Sequence, residues 1–286
     1  MTNDERNPRK QIRKVKHGHY LFESRISSFF RYPSFVLRPF FLLLLFFATA
    51  SFAQRPPERP LPLDPIQAER NARDLIADML AQKSEGNSSK TGTLKIRDSK
   101  GVEKEVPVRI EIRLSPTNWL TIYETTTSSN NMTEVRLEVV HSDGQPNKYN
   151  LIESAKTAGP RILSASEIMR PFAGSDFWIA DLGLEFLHWP KQRLLMNDMR
   201  HHKSCSVLES INPQPSPGGY ARVMSWVTVD SPHVVVHAEA FDAGNQLVKK
   251  FDPKNLEKVN GQYELESMEI RSPKAGSRTI LEFDLK

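Results

Sequence analysis

From Thr91 onward the chain is patterned with a period of two. Val106, Val108, Ile110, Ile112 and Leu114 alternate with Pro107, Arg109, Glu111 and Arg113. A strand of this kind is apolar on one face and charged on the other. Thr133, Val135, Leu137 and Val139 alternate in the same way with Glu134, Arg136 and Glu138, and Thr279, Leu281, Phe283 and Leu285 with Ile280, Glu282 and Asp284. Less regular strands are predicted at 91–98, 118–126, 147–152, 192–199, 204–211, 220–229, 234–242, 246–252 and 262–271. Turn signals such as Ser99-Lys100-Gly101, Asp143-Gly144, Pro217-Gly218-Gly219, Asn260-Gly261 and Ala275-Gly276 separate many of them. Short spacings with tight turns make neighbouring strands antiparallel. Roughly a dozen strands are too many for one flat open sheet, so the sheet is expected to curl into a barrel or part of one.

Two segments break this period. Asp64-Pro65 reads as an N-cap followed by Pro at the first helical position, and Ile66, Ala72, Leu75, Ile76, Met79 and Leu80 fall at helical spacing. A helix over 65–83 follows. Residues 164–190 are aromatic-rich and not strand-like. Ser175 or Asp176 is placed to cap a second helix over 176–188, carrying Phe177, Trp178, Leu182, Phe186 and Leu187. At 1.5 Å per residue these helices are about 28 and 20 Å long, enough to lie across the apolar side of a curved sheet. They either fill that side or roof a cavity.

The first part of the chain has a different character. Phe40–Phe47 is an unbroken apolar run that follows a long basic n-region ending at Arg38. Ser51-Phe52-Ala53 is a small-x-small cleavage pattern, so a secretory signal peptide over 1–53 is expected, cut between Ala53 and Gln54. As an uncleaved anchor, residues 39–53 would span only about 22 Å against a hydrocarbon core of about 30 Å. Residues 54–64 then form a Pro-rich extended linker, and 65–286 is read as a single domain. Export places that domain in the periplasm.

The leader also resolves the charge. The chain carries 39 Lys and Arg against 34 Asp and Glu, a net of +5. Nine of the basic and three of the acidic residues lie in 1–53, leaving 30 and 31 in the remainder, a net of −1. Within 91–114 Lys and Arg alternate with Asp and Glu and form no stripe, which disfavours a nucleic-acid partner. The single cysteine, Cys205, excludes an intramolecular disulfide framework.

No constellation for catalysis stands out, and no enzyme activity or cofactor is expected. Gly-x-Ser-x-Gly, the P-loop and Gly-x-Gly-x-x-Gly are all absent. His188, His201, His202 and Cys205 are the residues that most resemble metal ligands, but adjacent histidines on a strand point to opposite faces. No metal site is therefore expected, and Cys205 reads as a small buried strand residue. Asp176 and Asp181 are five apart on the predicted helix, poorly aligned for an acid/base pair, and Asp176 is better explained as a cap.

The order of motifs in 170–286 resembles the LolA-like outer-membrane lipoprotein-sorting family. Gly174-Ser175-Asp176-Phe177 with Asp181-Leu182 matches its Gly-Ser/Thr-Asp-Phe-x-x-x-Asp-Leu motif. The strand Cys205–Glu209 follows, then Tyr220, Val223, Trp226 and Val227, then His237–Asp242 and a continuation to Phe251, and finally Ser267–Ile270 leading to Gly276–Thr279. At Trp178-Ile179-Ala180 the chain departs from the Ser-Tyr-Glu type sequence of many relatives.

The resemblance implies a mainly β (α+β) fold, a curved antiparallel sheet forming an incomplete β-barrel with helices as a lid over an apolar concave face. It implies a periplasmic carrier, monomeric, whose partners are lipid acyl chains or lipoproteins and an envelope protein. A periplasmic sensor or interaction module that binds an anti-sigma factor is the alternative, since the fold serves that role in relatives. On the carrier reading the cavity-lining candidates are Val108, Ile110, Ile112, Trp119, Tyr123, Val135, Leu137, Val139, Trp226, Leu281 and Phe283. The lid candidates are Phe177, Trp178, Phe186 and Trp189.

Overall fold

The computed structural model describes residues 64–82, 86–126, 133–154, 159–259 and 262–284. The predicted cleavage site at Ala53 and Gln54, the leader and most of the Pro-rich linker lie outside the described residues. The described residues begin with helix α1, Pro65–Ala81. Asp64 is its N-cap, accepting from the Gln67 amide at 3.3 Å, as the Asp-Pro pair predicts.

Strands β1 (Ser88–Arg97), β2 (Glu103–Leu114), β3 (Asn118–Thr126), β4 (Thr133–Ser142), β5 (Lys148–Glu153) and β6 (Arg161–Ile162) form a first antiparallel meander. A second comprises β7 (Lys191–Arg200), β8 (Lys203–Ile211), β9 (Arg222–Thr228), β10 (Val235–Phe241), β11 (Leu247–Val259), β12 (Gln262–Ser272) and β13 (Ser277–Phe283). The two are joined where β1 pairs with β13, with Leu94 opposite Leu281 and Ile96 opposite Thr279. The result is one 13-stranded curved antiparallel sheet, ordered β6-β5-β4-β3-β2-β1-β13-β12-β11-β10-β9-β8-β7. Among the described residues β6 and β7 do not pair, so the barrel is incomplete. Gly92 permits the seam, since a Cβ there would sit 2.2 Å from the carbonyl oxygen of Glu282.

The alternating pattern sorts the two faces as expected. Tyr123 on β3 lies opposite Ile110 on β2 and Leu137 on β4, on the concave side. The intervening positions carry ion pairs on the convex side, where Glu124 accepts from Arg109 at 2.6 Å and from Arg136 at 2.5 Å. The same arrangement recurs at Glu209, between Arg193 and Arg222, and at Glu269, beside Arg271 and Lys254. These glutamates are buried although the face is charged, because long arginine and lysine stems fold over them.

Three expectations are corrected. The helix over 176–188 is replaced by a one-turn helix α2, Ile179–Leu182, and a 3₁₀ turn, Glu185–His188. The break falls at Gly183-Leu184, where Leu184 adopts φ +48°. Asp176 is not a cap; that role falls to Asp181, whose carboxylate accepts from the Trp178 amide at 2.7 Å. His201-His202 is not on a strand. It is the two-residue turn between β7 and β8, with φ of +48° and +59°.

Left-handed residues at both turn positions match the twist of a hairpin, but each is costly for a residue with a Cβ. Replacing His202 by Gly is expected to stabilise the fold by about 0.5–1 kcal/mol. A rise in the urea midpoint at unchanged m would register it, and a fall would contradict the assignment.

Candidate functional site: the covered concave face

Residues 163–189, between β6 and β7, run across the concave face. Leu163, Ile168, Phe172, Phe177, Ile179 and Ala180 from this segment are buried with Val106, Val108, Leu137, Val139, Tyr149, Leu151, Ile270 and Leu281 from the sheet in one apolar cluster. The other half of the concave face is covered by α1, whose Ala72 and Ile76 pack with Leu187, Trp189, Leu208, Val223 and Val227. Segment and helix together lay one apolar layer over the sheet.

The predicted lining residues divide accordingly. Val108, Leu137, Val139 and Leu281 lie at the centre of the first cluster, and Ile110, Tyr123, Val135 and Phe283 pack at its margin. Ile112 and Trp119 are half-buried, with the Trp119 ring stacked on His141 at 4.9 Å. Trp226 is on the other face. It stands opposite Val207 and His237 in the ladder and belongs to a separate cluster with Cys205, Val207 and Val236. The reason is parity, because Val223, Ser225 and Val227 take the concave positions of β9. Of the predicted lid, Phe177 is core, Trp178 stacks on Tyr220 at 4.6 Å, and Phe186 and Trp189 pack with α1.

Polar pins hold the segment down. Asp176 is buried, and its carboxylate accepts from the hydroxyls of Ser272 (2.5 Å), Ser277 (2.6 Å) and Thr279 (2.9 Å). Its amide donates to Thr279 Oγ1 and its carbonyl accepts from Lys249 Nζ, both at 2.8 Å. One residue is thus tied to three strands, β11, β12 and β13. On the opposite side the Tyr123 hydroxyl donates to the Leu182 carbonyl at 2.9 Å, Asn147 Nδ2 to the Gly183 carbonyl at 2.7 Å and the Tyr149 hydroxyl to Glu185 at 2.8 Å. Gly183 has no room for a side chain there, since a Cβ would sit 2.2 Å from the Tyr149 hydroxyl.

Burial shifts several of these groups. Asp181 is pushed up to about 6, against the opposing effects of the Trp178 amide, the Lys249 charge and the Tyr220 hydroxyl. Burial lowers Lys249, while the Asp181 and Asp176 charges act to hold it up. Burial likewise raises Glu185 and lowers His141 to about 4.

Pockets open on both sides of the Pro171–Gly174 turn. The larger, about 480 Å³, is lined by Ile96, Pro171, Trp178, Val248 and Ala275 with Asp98, Asp176, Lys249, Lys274 and Ser277 among its polar residues. The smaller, about 220 Å³, is lined by Val135, Leu151, Phe172, Ala173 and Ile179, with Glu153 and Arg170. Pro171 and Gly174 line both. Of the predicted lining and lid residues only Val135 and Trp178 line either of these two pockets. Val108, Leu137, Val139 and Leu281 are instead buried in one cluster with Phe172 and Phe177.

Among the described residues no three His, Cys, Asp or Glu side chains are placed to hold a metal ion, and no helix is long and apolar enough to cross a membrane. The Cys205 thiol is buried, raised by that burial, and donates to the Lys203 carbonyl at 3.4 Å.

A curved antiparallel sheet left open at one side and covered on its concave face by short helices is the LolA-like fold. The structure is similar to that of a DUF1329 family protein from Desulfovibrio piger, with 18% identity and a TM-score of 0.63 over 78% of this chain and 92% of that one. It is also similar to a putative outer membrane lipoprotein-sorting protein domain from Vibrio parahaemolyticus, with 15% identity and a TM-score of 0.63 over 77% of this chain and 91% of that one. A LolA superfamily protein from Nitrosomonas europaea matches with 15% identity and a TM-score of 0.54 over 75% and 91%. At these identities the likeness shows the fold. A family model described as "-like: Uncharacterized protein" matches residues 122–285, and the chain belongs to that family. No curated protein matches it in sequence.

Proposed function

We propose that this protein is a periplasmic carrier that holds acyl chains of lipids or lipoproteins against its concave face and takes part in outer-membrane lipoprotein sorting. The observation that carries the reading is the cover over that face. It is an irregular segment with two single-turn helices, flanked by pockets of about 480 and 220 Å³, over an apolar cluster of sheet residues. The lipoprotein-sorting description of the Vibrio neighbour supports it. Export follows from cleavage between Ala53 and Gln54, and the mature chain acts as a monomer, with an envelope protein receiving its cargo. No bond is made or broken, so no catalytic group is required.

The magnitudes favour entry of a chain. At about 0.8 kcal/mol per methylene, a 14-carbon chain is worth on the order of 10 kcal/mol when buried. Withdrawing Phe172 and Phe177 from the concave cluster costs about 1.5–3 kcal/mol each. A chain that takes their places over Val108, Ile110, Val135, Leu137 and Leu281 therefore recovers more than it displaces.

A fluorescent fatty acid titrated into the mature chain (residues 54–286) is expected to bind and to be displaced by unlabelled fatty acid. Ile110→Glu places a carboxylate at the margin of the apolar cluster and is expected to weaken binding at least tenfold, whereas Val102→Glu, on an exposed turn, leaves it unchanged. No binding by the unmodified chain, or equal binding by the two variants, contradicts the proposal.

A further inference from the structure

The larger pocket is lined by both apolar and polar residues, and its polar groups are unequally engaged. Both oxygens of the Asp176 carboxylate are occupied, one by the Ser272 and Ser277 hydroxyls and the other by Thr279. Asp98 is engaged by its own turn, accepting from the amides of Lys100 and Val102 at 2.8 Å each. Three of these four carboxylate oxygens are thus engaged.

The donors are less fully engaged. Lys249 is buried and lines the pocket. An ammonium has three N–H donors. Two of them are used, on the Asp176 carbonyl at 2.8 Å and Ser272 Oγ at 2.5 Å. The nearest oxygen of the Asp176 carboxylate is 3.7 Å away, beyond hydrogen-bond reach. Among the described residues Nζ has no third oxygen within hydrogen-bond reach, and its remaining neighbour is the Trp178 ring, whose centroid is 5.1 Å away. Lys274 stands at the rim with its side chain 69% exposed and its nearest carboxylate, Asp242, 4.0 Å off. By formal charge the lining is balanced, Lys249 and Lys274 against Asp98 and Asp176. Hydrogen-bonding capacity, not net charge, therefore sets the preference, and a buried donor without an acceptor favours a ligand that brings one.

We infer that this pocket receives the polar end of a single-chain amphiphile whose head is an anionic oxygen acceptor, a carboxylate or a phosphate, met by Lys249 from within and by Lys274 at the rim. The chain then lies along Ile96, Pro171, Trp178, Val248 and Ala275. The inference rests on the acyl-carrier reading and adds to it a selectivity for the head group. A cationic head of the same chain length meets an opposing ammonium and brings no acceptor for it.

The test compares dodecanoate, dodecyl phosphate and dodecyltrimethylammonium, below their micelle concentrations, by calorimetric titration of the mature chain. At least one anionic probe is expected to bind tenfold or more tightly than the cation. Preference for the carboxylate alone identifies a free fatty acid as the source, and preference for the phosphate alone identifies a lipid head group. The preference is expected to fall below threefold in Lys274→Ala, which alters only the rim, and to vanish in Lys249→Met. Should Lys249→Met fail to fold, Lys274→Ala decides. Equal affinity for all three probes, or a preference that survives Lys274→Ala, overturns the head-group inference and leaves the carrier standing. Absence of binding by all three overturns both.

Discussion

Replacing Asp176 by Ala is expected to destabilise the protein by about 3–5 kcal/mol. The change removes the acceptor of three hydroxyls from β12 and β13 and leaves the Lys249 ammonium buried 3.7 Å from where its counter-charge stood. The cost arises mainly from what remains. A buried cation that has lost its nearest carboxylate and three hydroxyls without acceptors are worse than a site that never held them. Thr279→Val, which removes one hydroxyl and preserves shape, is expected to cost only about 1 kcal/mol. Urea denaturation at constant m measures both. A loss below 1 kcal/mol for Asp176→Ala would mean that the segment is held by its apolar contacts alone.

The second large effect is a pH dependence at Asp181. Its folded value, about 6, lies above the ordinary 3.8 because burial disfavours the charged form. Between those two values the folded state binds the proton and the unfolded state does not, so stability falls as pH rises through this window. A shift of about two units corresponds to about 3 kcal/mol, complete below pH 4 and lost above pH 6. Other carboxylates act in the opposite sense, among them Glu124, Asp252 and Glu269, which are held low despite burial by Arg109, His237 and Arg271 respectively.

The difference between the unmodified chain and Asp181→Asn therefore isolates the effect. Asn retains an oxygen for the Trp178 amide and the Tyr220 hydroxyl, which both contact a single carboxylate oxygen. The variant is expected to be the more stable at pH 7.5, by up to about 3 kcal/mol, with the gap closing towards pH 4. A gap independent of pH would place the Asp181 carboxylate in water. Since Asp181 caps α2 within the covering segment, the same window governs how firmly that segment is held. It loosens towards neutral pH.

The sheet was largely legible because its cause is local. Val106 to Leu114 alternate cleanly, and β2 faces the core with the residues that this alternation selects. The two-residue β6 escaped because it is too short to carry a period. The second helix is shorter than its apolar pattern predicts. Phe177, Phe186 and Leu187 are buried and Trp178 is partly buried, but a one-turn helix, a left-handed Leu184 and a 3₁₀ turn place them there as effectively as three helical turns.

The site was the harder part. Asp176 has the residue type of a cap, and its true partners lie about a hundred residues away, at Ser272, Ser277 and Thr279. No local pattern reports such a pairing. Lys249 did leave a signal. It is two residues from Phe251 on a strand, so the alternation that turns Phe251 inward turns this lysine inward as well. Trp226 failed for the complementary reason, because both faces of β9 carry apolar residues and the pattern does not say which one is concave.

The central claim is that the concave face is a seat for acyl chains. It is tested most directly by purifying the mature chain from the periplasm under native conditions and weighing it by native mass spectrometry, with extraction and identification of whatever is bound. A population heavier than the bare chain by the mass of a lipid or an acylated peptide is expected, lost on extraction and absent from Ile110→Glu. A single species at the mass of the bare chain, which also fails to take up added fatty acid, would contradict it.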